Sequence, residues 1–181
     1  MNILKINNTI YCFVAPTRTG TRWIHNIFTE AGVTKGNKVF THQEPEYKED
    51  IVYLMSVRNP FERERSFWRW AKYTASEPVP EFKEWLLNPD IKKSMPYSEE
   101  YPNIFKKISK FVHIEKLQEF MLDEFNIVAK DYLGSYHDPA DSFTDLEAYS
   151  TRDMILYVYE KYKPDIEYLD FIGMDKYVKQ I

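Results

Sequence analysis

Apolar residues in this chain gather into short continuous runs and into periodic stretches, and the two kinds alternate along much of its length. Residues 9 to 14 (Thr9-Ile10-Tyr11-Cys12-Phe13-Val14) are rich in β-branched and aromatic side chains, which predicts a short buried strand. From residue 21 to 31 the apolar positions become Trp23, Ile24, Ile27, Phe28 and Ala31. That spacing predicts a helix, with Gly32 as its C-terminal stop. Lys38-Val39-Phe40-Thr41 reads as a second strand. Ile51 to Val57 is nearly continuous in apolar character, as a central parallel strand should be. Asn59 can cap the following helix and Pro60 suits its first turn, so a helix is expected to about Tyr73.

Residues 76 to 103 hold five of the ten prolines: Pro78, Pro80, Pro89, Pro96 and Pro102. They predict an irregular excursion with a short helix near Phe82–Leu87, of the kind that shapes substrate sites over an α/β core. Phe111-Val112-His113-Ile114 reads as a further strand and Glu115 to Glu124 as its helix. Ser150-Thr151-Arg152-Asp153 resembles a capping box with Asp in place of Glu or Gln. The helix behind it places Ile155, Val158, Tyr159 and Tyr162 on one face. The alternation predicts a single α/β domain over residues 1–181 with a mostly parallel sheet.

Composition narrows the function classes. The 181 residues are 44% hydrophobic and 17% aromatic, enough for one core with flat-walled pockets. A formal net charge of −4 disfavours general nucleic-acid binding. Cys12 is the only cysteine, so no intrachain disulfide can form, and it reads as a small buried hydrophobe. The four histidines lack metal-ligand spacing, so no metal is expected. No apolar run is long enough to span a membrane, and Met1-Asn2-Ile3-Leu4-Lys5 lacks a signal-peptide core. A soluble, cytoplasmic protein is the expectation.

The candidate chemistry begins where the first predicted strand ends. Pro16-Thr17-Arg18-Thr19-Gly20-Thr21 is a small, cationic, glycine-bearing loop that opens a helix. Backbone N–H groups, a helix N-terminus and a guanidinium together suit an anion. The loop lacks the GxxxxGK[ST] pattern, and no Lys precedes Thr21, which disfavours metal-assisted γ-phosphate chemistry. Gly20 allows close backbone approach, and the Thr19 and Thr21 hydroxyls can donate. The plain alternative is a polar turn that starts a helix. A second anchor follows the strong strand: Arg58 at its carboxyl edge and Ser66 eight residues later. Arg63 and Ser66 share a helix face with Asn59 one turn below. The plain alternative there is a solvated, arginine-rich helix including Arg63-Glu64-Arg65.

These segments resemble the sulfotransferases that use 3′-phosphoadenosine 5′-phosphosulfate (PAPS). Their 5′-phosphosulfate loop is similar to Arg18-Thr19-Gly20-Thr21-Arg22-Trp23, with Pro16 one residue further back. Their 3′-phosphate motif is matched by Arg58-Asn59-Pro60 and Ser66, and Pro60-Phe61-Glu62-Arg63 is nearest the carbohydrate-sulfotransferase style. Thr41-His42 falls where cytosolic members carry Thr-His with a catalytic base. Val112-His113-Ile114-Glu115-Lys116-Leu117 and Tyr159 to Leu169 look like later family segments. Arg22 stands where the family usually has a small or hydroxyl residue, and the Arg-Lys-Gly…Gly-Asp-Trp-Lys tail of cytosolic enzymes is missing.

The resemblance implies a three-layer αβα fold of the P-loop nucleotide-binding kind. It implies transfer of a sulfonate from PAPS to an acceptor hydroxyl, sugar hydroxyls included, or amine, releasing adenosine 3′,5′-bisphosphate without a metal. Arg18 would stabilise charge on the transferred group, and Thr19, Gly20 and Thr21 would hold the 5′-phosphate. Arg58 and Ser66 would hold the 3′-phosphate. Arg22 and Trp23 complete the donor segment, with Trp23 either against the adenine or, more simply, in the core. His42 is the preferred general base, because an imidazole titrates near neutrality, and Glu44 is its rival. His25 on the first helix is expected to pack or face solvent, His113 to be a hydrogen-bonded core or cleft residue, and His137 to lie in a loop. Trp85, Tyr97 and Tyr101 of the proline-rich stretch either contact a small-molecule or carbohydrate acceptor or simply pack. A kinase-like P-loop enzyme would need the missing Lys and a Mg²⁺ ligand. A non-catalytic nucleotide-binding module would keep donor binding without transfer.

Overall fold

Asn7 and Asn8 both adopt left-handed backbone (φ 48° and 67°), the geometry of a two-residue hairpin turn. They join β1 (Ile3–Ile6) to β2 (Thr9–Val14), which pair antiparallel with Leu4 opposite Tyr11 and Ile6 opposite Thr9. β3 (Val52–Val57) lies parallel to β2, and β4 (Lys110–His113) lies parallel to β3, giving a four-stranded sheet in the order β1-β2-β3-β4. β3 is hydrogen-bonded on both sides, and Tyr53 to Val57 are all fully buried, as its unbroken apolar run predicts. The computed structural model describes residues 2–34, 41–129 and 146–181.

Eight α-helices accompany the sheet among these residues: α1 (Thr21–Glu30), α2 (Pro60–Thr74), α3 (Phe82–Leu87), α4 (Tyr97–Glu100), α5 (Leu117–Phe125), α6 (Arg152–Lys161), α7 (Lys163–Tyr168) and α8 (Asp175–Val178). The chain is thus an α/β protein with a mostly parallel sheet. α1 ends in a Schellman motif: Gly32 has φ 72°, its N–H bonds Thr29 O at 3.0 Å, and Val33 N–H bonds Phe28 O at 2.9 Å. α2 starts as its sequence predicts, with Asn59 Oδ1 accepting from Phe61 N–H at 3.0 Å and Pro60 in the first turn.

The chain divides into two compact units. The first comprises residues 2–57 and 97–129 of those described. The sheet, α1 and α5 enclose its core, which includes Phe13, Ile24, Phe28, Leu54, Val112 and Met121. Edge-to-face aromatic pairs bind this core, Phe28 to Phe125 at 5.5 Å and Tyr11 to Phe125 at 5.2 Å. The second unit comprises residues 58–96 and 146–181. Here α2, α3 and α6 pack around Phe61, Trp68, Phe82, Trp85, Met154 and Val158. Phe61 stacks on Tyr177 at 4.2 Å, and Tyr149 OH donates to Phe61 O at 2.8 Å.

Several expectations are corrected. The strand read to Ile114 stops at His113, and Ile114–Lys116 form a 3-10 turn before α5. Ser150 is not the cap of α6; Thr151 is, and no side chain bonds the helix start. The Ser150 hydroxyl points instead toward Met154 Sδ at 3.9 Å. Arg63, Glu64 and Arg65, read as potentially solvated, are 0%, 0% and 3% exposed. Trp85, Tyr97 and Tyr101 are buried at 2%, 0% and 0%, so packing is their role and not open contact with an acceptor. The strand expected at residues 38–41 falls outside the described residues except for Thr41, which is in no strand, and His137 also lies outside them.

Candidate functional site

In the first unit β2 runs straight into the loop. Thr19 is fully buried, and its hydroxyl donates to Pro16 O at 2.7 Å. Since that uses its one proton, Ser56 Oγ, also 2.7 Å away, is the donor in their mutual bond. Thr21 Oγ1 reaches the same Pro16 carbonyl at 3.3 Å. Both hydroxyls expected to face a phosphate therefore turn inward and brace the loop against β3 and its own first carbonyl. What the loop offers an anion is backbone N–H groups and the half-buried Arg18, itself held at φ 64°.

Gly20 caps α1 in left-handed conformation (φ 71°, ψ 20°). A Cβ there would lie 1.9 Å from Ile114 Cδ1 and 2.9 Å from Cγ1. A side chain there would be strained by the left-handed backbone and would have to displace the Ile114 side chain. No acidic residue lies in the first turn of α1, which leaves the positive end of the helix uncompensated by its own sequence. Arg22 is exposed. Trp23 is half-buried against the first core, in keeping with the packing role.

His42 is exposed, and its ring Nδ1 lies 2.6 Å from Ala15 O, the carbonyl just before the loop. A carbonyl only accepts, so Nδ1 is the donor in this bond and Nε2 is the ring nitrogen left to take up a proton when the ring is neutral. Two further groups hold His42 in place. Tyr101 OH lies 3.1 Å from His42 O and 3.3 Å from Ala15 O. Asn2 binds Phe13 O at 2.8 Å and both the carbonyl and the N–H of Thr41 at 2.9 Å. Glu44 is differently placed. Its Oε1 accepts from the N–H groups of Asn103 (2.7 Å) and Ile104 (2.9 Å), and its Oε2 from Asn103 Nδ2 (2.8 Å). That carboxylate caps a turn through both oxygens, whereas the His42 ring is held through one nitrogen, so of the two base candidates His42 is the less committed.

In the second unit, Arg58 Nε lies 3.8 Å from Glu62 Oε2 one turn along α2, and Glu62 Oε1 accepts from Lys176 Nζ at 2.9 Å. Asn59 is fully buried and also donates to Ile172 O at 2.9 Å. Ser66, two turns into α2, is 7% exposed. Between them Arg63 Nη1 donates to Met95 O at 2.7 Å. Glu64 Oε1 accepts from Ser94 Oγ (2.7 Å), Lys161 Nζ (2.7 Å) and Tyr162 OH (3.0 Å). Arg65 lies over the rings of Trp68 and Phe82 at 4.7 and 4.9 Å.

No family model, curated protein or solved structure matches this chain. Among the described residues no helix is long and apolar enough to cross a membrane, and no group of three His, Cys, Asp or Glu residues could hold a metal ion. Sequence reasoning missed four positions around the loop: Asn2, Ser56, Tyr101 as an anchor, and Glu100, whose Oε1 accepts from Thr17 N–H at 3.3 Å. Their partners are 11 to 86 residues away along the chain, beyond the reach of any local motif.

Proposed function

We propose that the protein is a PAPS-dependent sulfotransferase with a P-loop-like, three-layer αβα arrangement. It would move a sulfonate group to an acceptor hydroxyl, of a small molecule or carbohydrate, or to an amine, in the cytoplasm. One observation carries this reading. A lysine-free loop braced by its own hydroxyls opens α1 through a left-handed, crowded glycine, and an imidazole is hydrogen-bonded through Nδ1 to the residue before it. The Arg58-Asn59-Pro60…Ser66 spacing adds a second phosphate grip to the proposal, which a donor with a 3′-phosphate would use and ATP would not.

The chemistry asks for in-line placement, charge neutralisation and a proton acceptor. The acceptor oxygen or nitrogen would attack sulfur while the bond from sulfur to the bridging oxygen of the 5′-phosphate breaks. The acceptor proton would pass to His42 Nε2. Negative charge developing on the bridging oxygen would fall to Arg18 and the loop N–H groups, and adenosine 3′,5′-bisphosphate would leave.

Calorimetric titration with adenosine 3′,5′-bisphosphate and, separately, with ATP-Mg²⁺ tests the reading. The bisphosphate should bind at least tenfold more tightly, roughly the value of one charged phosphate contact. Preference for ATP-Mg²⁺ would replace this reading with a kinase-like one.

A further inference from the structure

On the reading of residues 16–21 as a phosphate cradle, one of its donors is already engaged by an anion of the protein itself. Thr17 N–H donates to Glu100 Oε1 at 3.3 Å. Glu100 is the half-buried last residue of α4. Tyr101 follows it, fully buried, with its hydroxyl on the carbonyls of Ala15 and His42. Glu44 grips the next turn through Asn103 and Ile104. The Glu100 carboxylate is thus delivered to the loop by a segment anchored at three successive places. The loop it meets carries amide donors, Arg18 and, at its far end, a helix start with no acid in its first turn.

We propose that Glu100 is a built-in competitor for the cradle, holding the Thr17 amide until an incoming phosphate displaces it. An anion entering the loop meets this like charge, and in a partly desolvated site the repulsion is not screened away. A ligand gripped elsewhere as well, as a nucleotide with a second phosphate would be, can displace the carboxylate. Free inorganic phosphate has no second grip, so the gate discriminates against it.

Glu100→Gln keeps an oxygen that can accept from Thr17 and removes the charge. Titrated with inorganic phosphate, this variant should bind roughly threefold to tenfold more tightly than wild type, the effect of one partly screened charge. Glu100→Ala, which also vacates the amide, should gain at least as much. Thermal melting confirms that each variant is folded, and Glu100→Gln alone decides if the alanine form is not. Equal or weaker phosphate binding by Glu100→Gln, or none by either protein, overturns the gate. The donor assignment fails separately. Tighter phosphate binding by the variant, with no binding of adenosine 3′,5′-bisphosphate by either protein, keeps the gate and removes the donor. Unchanged phosphate binding with the bisphosphate bound does the reverse.

Discussion

Gly20 and Gly32 both sit at positive φ, but only Gly20 is crowded: its missing Cβ would fall inside the Ile114 side chain, whereas nothing lies within 4 Å of Gly32. Gly32→Ala should therefore cost only the left-handed penalty, about 1 kcal/mol. Gly20→Ala should cost roughly 2–4 kcal/mol, because the Ile114 side chain must also move. Urea unfolding of the two variants measures the difference directly. Equal losses would mean that Ile114 yields freely and that the loop wall is soft. At Arg18 the expectation concerns rate. Arg18→Ala should lower turnover by roughly 10²–10³ while changing donor affinity only a few-fold, since its charge is needed most as the leaving group departs. Equal losses in both quantities would assign Arg18 to ground-state binding. His42→Ala should abolish transfer with donor affinity kept, and near-wild-type turnover would move the base elsewhere.

At the scale of elements, α2 depends on Asn59 twice, through Oδ1 to Phe61 N–H and through Nδ2 to Ile172 O. Asn59→Ala should destabilise by about 1–2 kcal/mol. Asn59→Asp retains the cap but sets a buried carboxylate oxygen against the Ile172 carbonyl, so its denaturation midpoint should fall below that of Asn59→Ala. Elements of this kind were legible in advance because their signals are local. Thr9–Val14, Asn59-Pro60 and the apolar spacing of α1 each carry their reason within a few residues. β1 was hidden because it is a four-residue edge strand in which Leu4 is buried and Ile3 is 39% exposed, although Asn7-Asn8 marked its turn. Arg63-Glu64-Arg65 read as open to solvent because Lys161 and Tyr162, which satisfy Glu64, lie nearly a hundred residues downstream. The same limit hid the inward turn of the Thr19 hydroxyl: Pro16 was in view, but Ser56 was not.

At the scale of the whole molecule, the titrating groups itemise how alkaline pH should act on the fold. Cys12 is 1% exposed in β2, and burial raises its thiol from 9.0 to about 11. Below its ordinary value the thiol is protonated in both folded and unfolded chains, and its contribution to stability is complete. As pH rises toward the folded value, the unfolded chain sheds a proton that the folded chain keeps, so stability falls. By about pH 11 the loss should approach roughly 3 kcal/mol, the difference between 9.0 and 11 converted to free energy. Tyr53 and Tyr157, both raised by burial, act in the same direction above about pH 10. Lys93 acts oppositely. Burial, then the neighbouring Lys161, lowers it, so the folded state disfavours the ammonium and gains stability as pH climbs from its folded value to its ordinary one. The wild-type slope is therefore a sum, and Cys12→Ala isolates one component. At about pH 7 the variant should be less stable by roughly 1 kcal/mol for the lost buried volume. Toward alkaline pH the wild-type curve should descend to meet that of Cys12→Ala and cross it between about pH 9 and pH 11. A gap between the two unfolding curves that stays constant with pH would show that the thiol ionises as readily in β2 as in the unfolded chain.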